Sequence, residues 1–349
     1  MRQLRHALPF ALLLLSLVAP ACGDSASDEP LGSCGLPLSQ CEADTFGGDA
    51  ALDSVGDDVV APDAIDVDED GGAVDDGATG DGATDDGATA DTTAPAEDPT
   101  AWIVDAGWLA ARLDDAEIVV VDVRDEGSWS SARIPGALHV SVSDVRATVD
   151  GVSGQVASAE QVAQTLAAAG LPPGTTAVVA GPATDTTTAR LVWTLRYFGH
   201  DARLLDGGYA SWTGASDSHT PTIEATSYPT PTAVDDLRVT GAWVLDHLDD
   251  ADVVLVDART AGEYGAGHIP GALSVPWQDN VSGAALKDRA TVAALYDAVP
   301  SGATVVAYCA SGTRASVTWL VLRWLGFEDV RLYDGSWAEW STLPGAPVE

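Results

Sequence analysis

The chain repeats itself, and the repeat constrains the fold more than any other feature. Ile103–Ala137 aligns without gaps on Arg238–Ala272 at a spacing of 135 residues, and Ala177–Gly199 aligns on Thr304–Gly326 at a spacing of 127. Leu113-Asp114-Asp115-Ala116 returns as Leu248-Asp249-Asp250-Ala251, and Ile134-Pro135-Gly136-Ala137 returns as Ile269-Pro270-Gly271-Ala272. Self-similarity of this kind means one structural unit used twice. Within each unit, Val/Ile/Leu runs of four or five residues alternate with patterns at helical spacing. Such runs are strands buried on both faces, which calls for a mostly parallel sheet covered by helices on either side. The chain is thus two tandem α/β domains, residues 101–215 and 237–349, joined by a linker over 216–236 that holds Pro221, Pro229 and Pro231. One helix is expected to carry Trp108 through Leu113, and another Val162 through Ala168.

The sequence before the first copy has a different character. The chain has 53 acidic and 16 basic residues, a net charge of −37, and residues 22–100 hold 22 of the acidic groups with no Lys or Arg. There Asp75-Asp76-Gly77-Ala78-Thr79 stutters through to Thr89. A segment so poor in apolar groups cannot offset its ordering entropy, so residues 23–100 are expected to form a disordered acidic tether. Asp66-Val67-Asp68-Glu69-Asp70-Gly71 imitates the opening of a calcium loop, but Gly77 stands where the bidentate Glu belongs, and no metal site is expected. Cys34 and Cys41 lie in the same segment, and their pairing is open. Residues 1–22 read as an export signal: Arg2 and Arg5 precede an apolar stretch, Ala7–Val18, too short to span a bilayer. Ala19-Pro20-Ala21-Cys22 is similar to a bacterial lipoprotein signal, with Cys22 as the lipidated residue; simple cleavage is the alternative. The protein is therefore expected outside the cytoplasm, anchored in a membrane by lipid and facing the periplasm or cell exterior. Its acidity excludes a general nucleic-acid binder, which needs clustered Lys and Arg.

Chemistry concentrates in the second copy. An apolar run ends at Cys309, a short loop Cys309-Ala310-Ser311-Gly312-Thr313-Arg314 follows, and Val317, Leu320, Val321 and Trp324 then recur at helical spacing. A strand, a tight small-residue loop and a helix make an anion cradle, because loop amides and the helix N-terminus converge above the sulfur. Such a field activates a thiol, so Cys309 is expected to be a nucleophile; the alternative is a cysteine that merely packs at a strand end. Ligands of parallel sheets sit beyond the carboxyl ends of the strands. Asp257-Ala258-Arg259 also follows a strand, which makes Arg314 and Arg259 the candidates for binding a donor anion bidentately. Each has a structural alternative in a neighbouring carboxylate, and Arg124 and Asp122 repeat the pattern of Arg259 and Asp257 in the first copy. Asp257 and His268 are read as organisers of loop and turn. In the first copy Pro182 stands opposite Cys309, Asp185 opposite Gly312 and Thr187 opposite Arg314, so that copy has no thiol and cannot perform thiol chemistry.

Asp-x-Arg after a strand, Gly267-His268-Ile269-Pro270-Gly271-Ala272, the loop from Cys309 to Arg314, and Leu332-Tyr333-Asp334-Gly335-Ser336-Trp337 occur in that order. Together, and with their counterparts in the first copy, they resemble the rhodanese (sulfurtransferase) domain. The resemblance implies a five-stranded parallel sheet in each copy, and a catalytic C-terminal copy beside an inactive N-terminal one. It implies that the Cys309 thiolate takes the outer sulfur of thiosulfate, expelling sulfite, or of 3-mercaptopyruvate, expelling pyruvate. The persulfide would be stabilised by the amides of Ala310, Ser311, Gly312, Thr313 and Arg314, and a thiol or cyanide would remove the sulfur. No metal or organic cofactor is implied, and a monomer is expected. Ser311 is similar to the loop of mercaptopyruvate enzymes, whereas Arg314 and the Arg133 that replaces a His of those enzymes point to thiosulfate. Glu263 stands where many tandem members have a second donor-binding Arg. Thiosulfate is the expected donor, and 3-mercaptopyruvate transfer and a sulfur carrier that loads without turnover are the alternatives. Four residues separate Cys309 from Arg314, one fewer than in the related phosphatases, which argues against phosphate as substrate.

Overall fold

The computed structural model describes residues 101–219 and 222–349. The export signal, Cys22, Cys34, Cys41 and the acidic tether lie outside the described residues.

In the first copy the chain runs β1 (Ile103–Val104), α1 (Ala106–Ala110), β2 (Ile118–Asp122), α2 (Glu126–Ser131), β3 (Leu138–His139), β4 (Arg146–Val149), β5 (Val152–Val156), α3 (Ala159–Ala168), β6 (Thr176–Ala180), α4 (Thr186–Tyr197) and β7 (Ala202–Leu205). The second copy follows with β8 (Arg238–Val239), α5 (Gly241–Asp246), β9 (Val253–Asp257), α6 (Ala261–Gly265), β10 (Leu273–Ser274), β11 (Val281–Ser282), β12 (Ala285–Leu286), α7 (Arg289–Ala294), β13 (Thr304–Tyr308), α8 (Ala315–Leu325), β14 (Val330–Tyr333) and α9 (Ser336–Trp340). Each copy forms a five-stranded sheet, ordered β1-β7-β6-β2-β3 and β8-β14-β13-β9-β10. Every pairing within these two sheets is parallel. The expected architecture is thus present, with β6 and β13 as the central strands. Four of the five residues in each are buried, as a strand covered on both faces requires. Tyr308 pairs with Asp257, so the residues after β13 and β9 emerge at the same sheet edge.

The two copies share one apolar core. Helices α4 and α8 pack on each other, and all residues from Ala315 to Leu322 are buried. A helix apolar all round belongs in an interior, and α8 lies between its own sheet and α4. Trp102 of the first copy meets Trp319 of the second edge to face, with ring centroids 5.3 Å apart. The linker residues also lie on the first copy: Arg133 holds Asp217 at 2.8 Å, and the amides of Thr226 and Val234 donate to the carbonyls of Ala167 and Tyr197.

Each copy sends an antiparallel hairpin onto the strand ends of the other. Hairpin β4–β5 turns at Asp150-Gly151, both with positive φ, as a tight two-residue turn demands. From it, the Val156 amide donates to Asp334 of the second copy at 2.7 Å. Reciprocally, hairpin β11–β12 donates the Leu286 amide to Asp206 at 2.9 Å, and Ala284 accepts from the Thr184 amide. Asp206 and Asp334 occupy equivalent places in the repeat. One expected element is shorter than the periodicity suggests. Helix α1 ends at Ala110, and Arg112 and Leu113 lie in the turn after it, where Arg112 Nη1 donates to the Trp108 carbonyl.

Candidate active site

Cys309 follows β13 directly and is 1% exposed. The loop it opens is held from below by Ser336. Both the Cys309 and Gly312 amides donate to Ser336 Oγ, at 3.1 and 3.0 Å, and that hydroxyl donates to the Tyr333 carbonyl at 2.8 Å. Ser336 has φ +52°, a left-handed conformation that a non-glycine residue adopts only when its surroundings fix it. Two further bonds join the loop to α9, because Trp337 and Ala338 donate their amides to the carbonyls of Cys309 and Ala310. At Gly312, φ is +79° and a Cβ would lie 2.6 Å from Asp334 Oδ1 and 2.8 Å from Arg190 Nη1. Only glycine fits there.

The amides of Ala310, Ser311, Thr313 and Arg314 make no hydrogen bond among the described residues. Helix α8 begins immediately after them without a side-chain cap. Four unpartnered donors and the start of an eleven-residue helix therefore sit on the loop that opens at the sulfur, an arrangement that stabilises negative charge. The Gly312 amide, expected among these donors, is instead committed to Ser336.

Arg314 lies at the end of the loop and binds Glu263 through both terminal nitrogens, at 2.7 and 2.8 Å. The Glu263 bond raises its pKa, and the Cys309 sulfur acts in the same direction. Glu263 is pushed down to about 2 by the Arg314 bond, aided by Thr260. The positive charge at the loop end is thus largely neutralised.

Arg259 requires a correction. It is 3% exposed, with Nε on both Asp257 oxygens at 3.0 Å and Nη2 on Asp257 Oδ2 and the Gly267 carbonyl at 2.6 and 2.7 Å. Its face rests on the Trp337 ring at 4.4 Å. The first copy repeats every part of this: Arg124 holds Asp122 and the Ala132 carbonyl and stacks on Tyr209. The pair fixes a strand end in both copies, and Arg259 does not reach out to a donor anion. His268 stacks on Tyr264 with centroids 3.6 Å apart, and its Nδ1 lies 3.1 Å from the Tyr264 carbonyl, the arrangement of a turn residue.

Other residues of the site escape sequence reasoning. Asp334 and Arg190, from opposite copies, form an ion pair at 2.6 Å with both side chains fully buried. This pair lies against Gly312 and so fixes the loop from the interdomain side. Ser336 could have been found, since the repeat sets Asp334-Gly335-Ser336 against Asp206-Gly207-Gly208. No local pattern points to Arg190.

In the first copy the equivalent place is closed. Asp185 caps its own helix, accepting from the Thr188 amide at 2.8 Å. A Cβ at Gly208 would lie 2.5 Å from the Gly181 carbonyl oxygen and 2.7 Å from the Ala183 nitrogen. The backbone there occupies the space that the Ser336 side chain has in the second copy.

The rhodanese-like domain model matches this chain twice, over residues 105–215 and 240–343. A thiosulfate sulfurtransferase of Corynebacterium glutamicum is 34% identical over 274 residues, covering 71% of this chain and 90% of the relative. The sulfur carrier protein TtuD of Thermus thermophilus is 31% identical, covering 70% and 95%. The crystal structure of the 3-mercaptopyruvate sulfurtransferase SseA from Escherichia coli superposes with a TM-score of 0.62 at 26% identity, over 68% of this chain and 99% of that one. Matched in both halves by the domain model and aligned with these relatives across nearly their whole length, the chain belongs to the rhodanese-like family as a tandem, two-domain member.

Proposed function

We propose that the protein is a sulfurtransferase that moves the outer sulfur of thiosulfate to a thiol or cyanide through a persulfide on Cys309. The observation that carries this reading is the loop at Cys309, with four amides lacking partners at the start of α8, beside a first copy whose equivalent space is filled. The Cys309 thiolate attacks the outer sulfur of the donor. The Sγ–S bond forms as the donor S–S bond breaks, and sulfite leaves with that bond's electron pair. The amides of Ala310, Ser311, Thr313 and Arg314 then stabilise the anionic terminal sulfur in the manner of an oxyanion hole. An acceptor thiolate or cyanide attacks the terminal sulfur and releases the Cys309 thiolate. Gly312 contributes by its shape and its bond to Ser336. Arg314 closes the loop in its pair with Glu263, and Arg259 positions the strand end.

The Corynebacterium relative's name supports thiosulfate. Ser311 and the Escherichia coli relative favour a second reading, 3-mercaptopyruvate as donor, and TtuD favours a third, a carrier that loads once. Steady-state assays of the full chain with each donor and cyanide separate them, since a carrier stops after one equivalent. Cys309→Ser is expected to abolish turnover and the gain of about 32 Da that marks a persulfide on the wild type; turnover that survives the substitution would eliminate the assignment. The reading extends to an exported lipoprotein anchored through Cys22. Labelling of the full chain in cells with a fatty-acid probe is expected to mark the wild type and not Cys22→Ala. A monomeric mass by light scattering is expected for the protein freed of its anchor.

A further inference from the structure

The second copy's cysteine loop is bordered by a cation that it does not itself carry. Arg146 opens strand β4 of the first copy, and its Nε donates to the Gly154 carbonyl at 3.1 Å across the hairpin. A Cβ built on Gly154 would lie 2.4 Å from Arg146 Nη2 and 3.4 Å from the Cβ of Ser311. Guanidinium and cysteine loop therefore face each other across a residue that has no side chain to separate them. Gly154 has φ +89° and cannot readily carry one.

The charges around the loop are unevenly paired. Arg314 is neutralised by Glu263, Arg190 by Asp334 and Arg259 by Asp257. The Gly154 carbonyl accepts from Arg190 as well, at 3.3 Å, so two guanidinium groups share one carbonyl. Arg146 takes part in none of the ion pairs found among the described residues. Burial and the neighbouring Arg190 lower its pKa, while Asp334 and the Cys309 sulfur act in the opposite direction. A cation held among like charges, with no carboxylate of its own and the cysteine loop across Gly154 from it, gains most from an anion arriving at that loop.

We propose that Arg146, supplied by the catalytically silent first copy, binds the oxyanion end of the sulfur donor while Cys309 attacks its outer sulfur. The proposal deepens the sulfurtransferase reading and rests on it. Under it, the first copy completes the site, and the donor is recognised by a residue of the domain without the nucleophile. Arg146 carries the recognition that the pairing with Glu263 and Asp257 withdraws from Arg314 and Arg259. Guanidinium suits the task because its fork matches two oxygens of a sulfonate or carboxylate.

The test uses the full chain carrying Arg146→Met or Arg146→Lys. Arg146→Met is expected to raise the KM for thiosulfate at least tenfold with kcat changed less than threefold, and Arg146→Lys to recover part of that loss. An unchanged KM would overturn the proposal, and so would a loss confined to kcat that Lys fails to rescue. Binding is measured separately by calorimetric titration of thiosulfate into Cys309→Ser and into Cys309→Ser/Arg146→Met, where no chemistry occurs. Affinity at least tenfold weaker in the double variant supports the role; equal affinity, or no binding to Cys309→Ser, overturns it. Failure of the underlying reading shows differently, as a wild-type chain that neither turns over thiosulfate nor gains a sulfur. Should Arg146→Met fold poorly, as its melting curve would reveal, the comparison of wild type with Arg146→Lys in KM decides, because Lys retains the charge but loses the two-oxygen fork. An unchanged KM in a folded Arg146→Lys would then overturn the proposal, and a raised KM would support it.

Discussion

Removing one oxygen atom beneath the loop tests whether Ser336 sets its shape. In Ser336→Ala, the amides of Cys309 and Gly312 lose their common acceptor, and both are buried. A buried donor left without a partner costs about 1–3 kcal/mol. Two of them, with partial relaxation, put the loss at about 2–4 kcal/mol. A folded unit of this size loses about 2–4 °C of melting temperature per kcal/mol, so the expected drop is about 4–16 °C by calorimetry. Turnover should fall further than stability suggests, since the loop can rotate its free amides away from the sulfur. Loss of one such donor commonly costs about 10²–10³ in kcat, and a fall of at least tenfold is expected in the thiosulfate–cyanide assay. Ser336→Gly separates hydroxyl from backbone. Glycine adopts φ +52° without strain, so it should recover about 1 kcal/mol of stability relative to alanine, yet show the same loss of turnover. Ser336→Ala with turnover within twofold of wild type and an unshifted melt would refute the role given to this hydroxyl.

Two further outcomes concern the charges around the site. Arg190→Met leaves buried Asp334 with Arg238 Nε, at 3.6 Å, as its remaining cation, so the loss should lie below the ~3–5 kcal/mol of a fully broken buried pair; Arg190→Met/Asp334→Asn should recover part of this in a urea double-mutant cycle, and a single-variant loss below about 1 kcal/mol would count against the pair. Glu263→Gln releases Arg314, so the thiosulfate KM should fall several-fold at neutral pH. Because the folded Glu263 titrates at about 2, below its ordinary 4.5, the stability it contributes is present above pH 4.5 and is lost as pH falls from there toward 2. Stability curves of wild type and Glu263→Gln should therefore converge as the solution is acidified, and parallel curves would contradict the pairing.

The fold was legible because its signals are redundant. Continuous apolar runs such as Val253–Asp257 and Thr304–Tyr308 can be satisfied only by strands covered on both faces, and the chain states the pattern twice. The Cys309 loop was legible for a related reason: nucleophile, small residues and helix start are contiguous. Arg259 was harder to read, since Asp-x-Arg does not reveal whether the guanidinium turns outward or folds back on the Asp two residues earlier. Its recurrence as Arg124 was the signal that it folds back. Helix α1 ended early because a turn intervened where apolar spacing alone would continue it. Arg146 and Arg190 could not be seen at all. They lie in the other copy, and what brings them to Cys309 is the packing of α4 on α8 and the reach of a hairpin, which no local pattern encodes.

The backbone at Gly208 makes the silence of the first copy hard to reverse. Grafting Cys at position 182, Ser at 184, Gly at 185 and Arg at 187 would restore every letter of the loop, but not the floor beneath it. A serine at 208 would drive its Cβ into the Gly181 oxygen and the Ala183 nitrogen, so the strand end and the turn would first have to move apart. Reawakening that half therefore demands a coordinated displacement of main chain. A sequence of point changes, each tolerated alone, does not lead there.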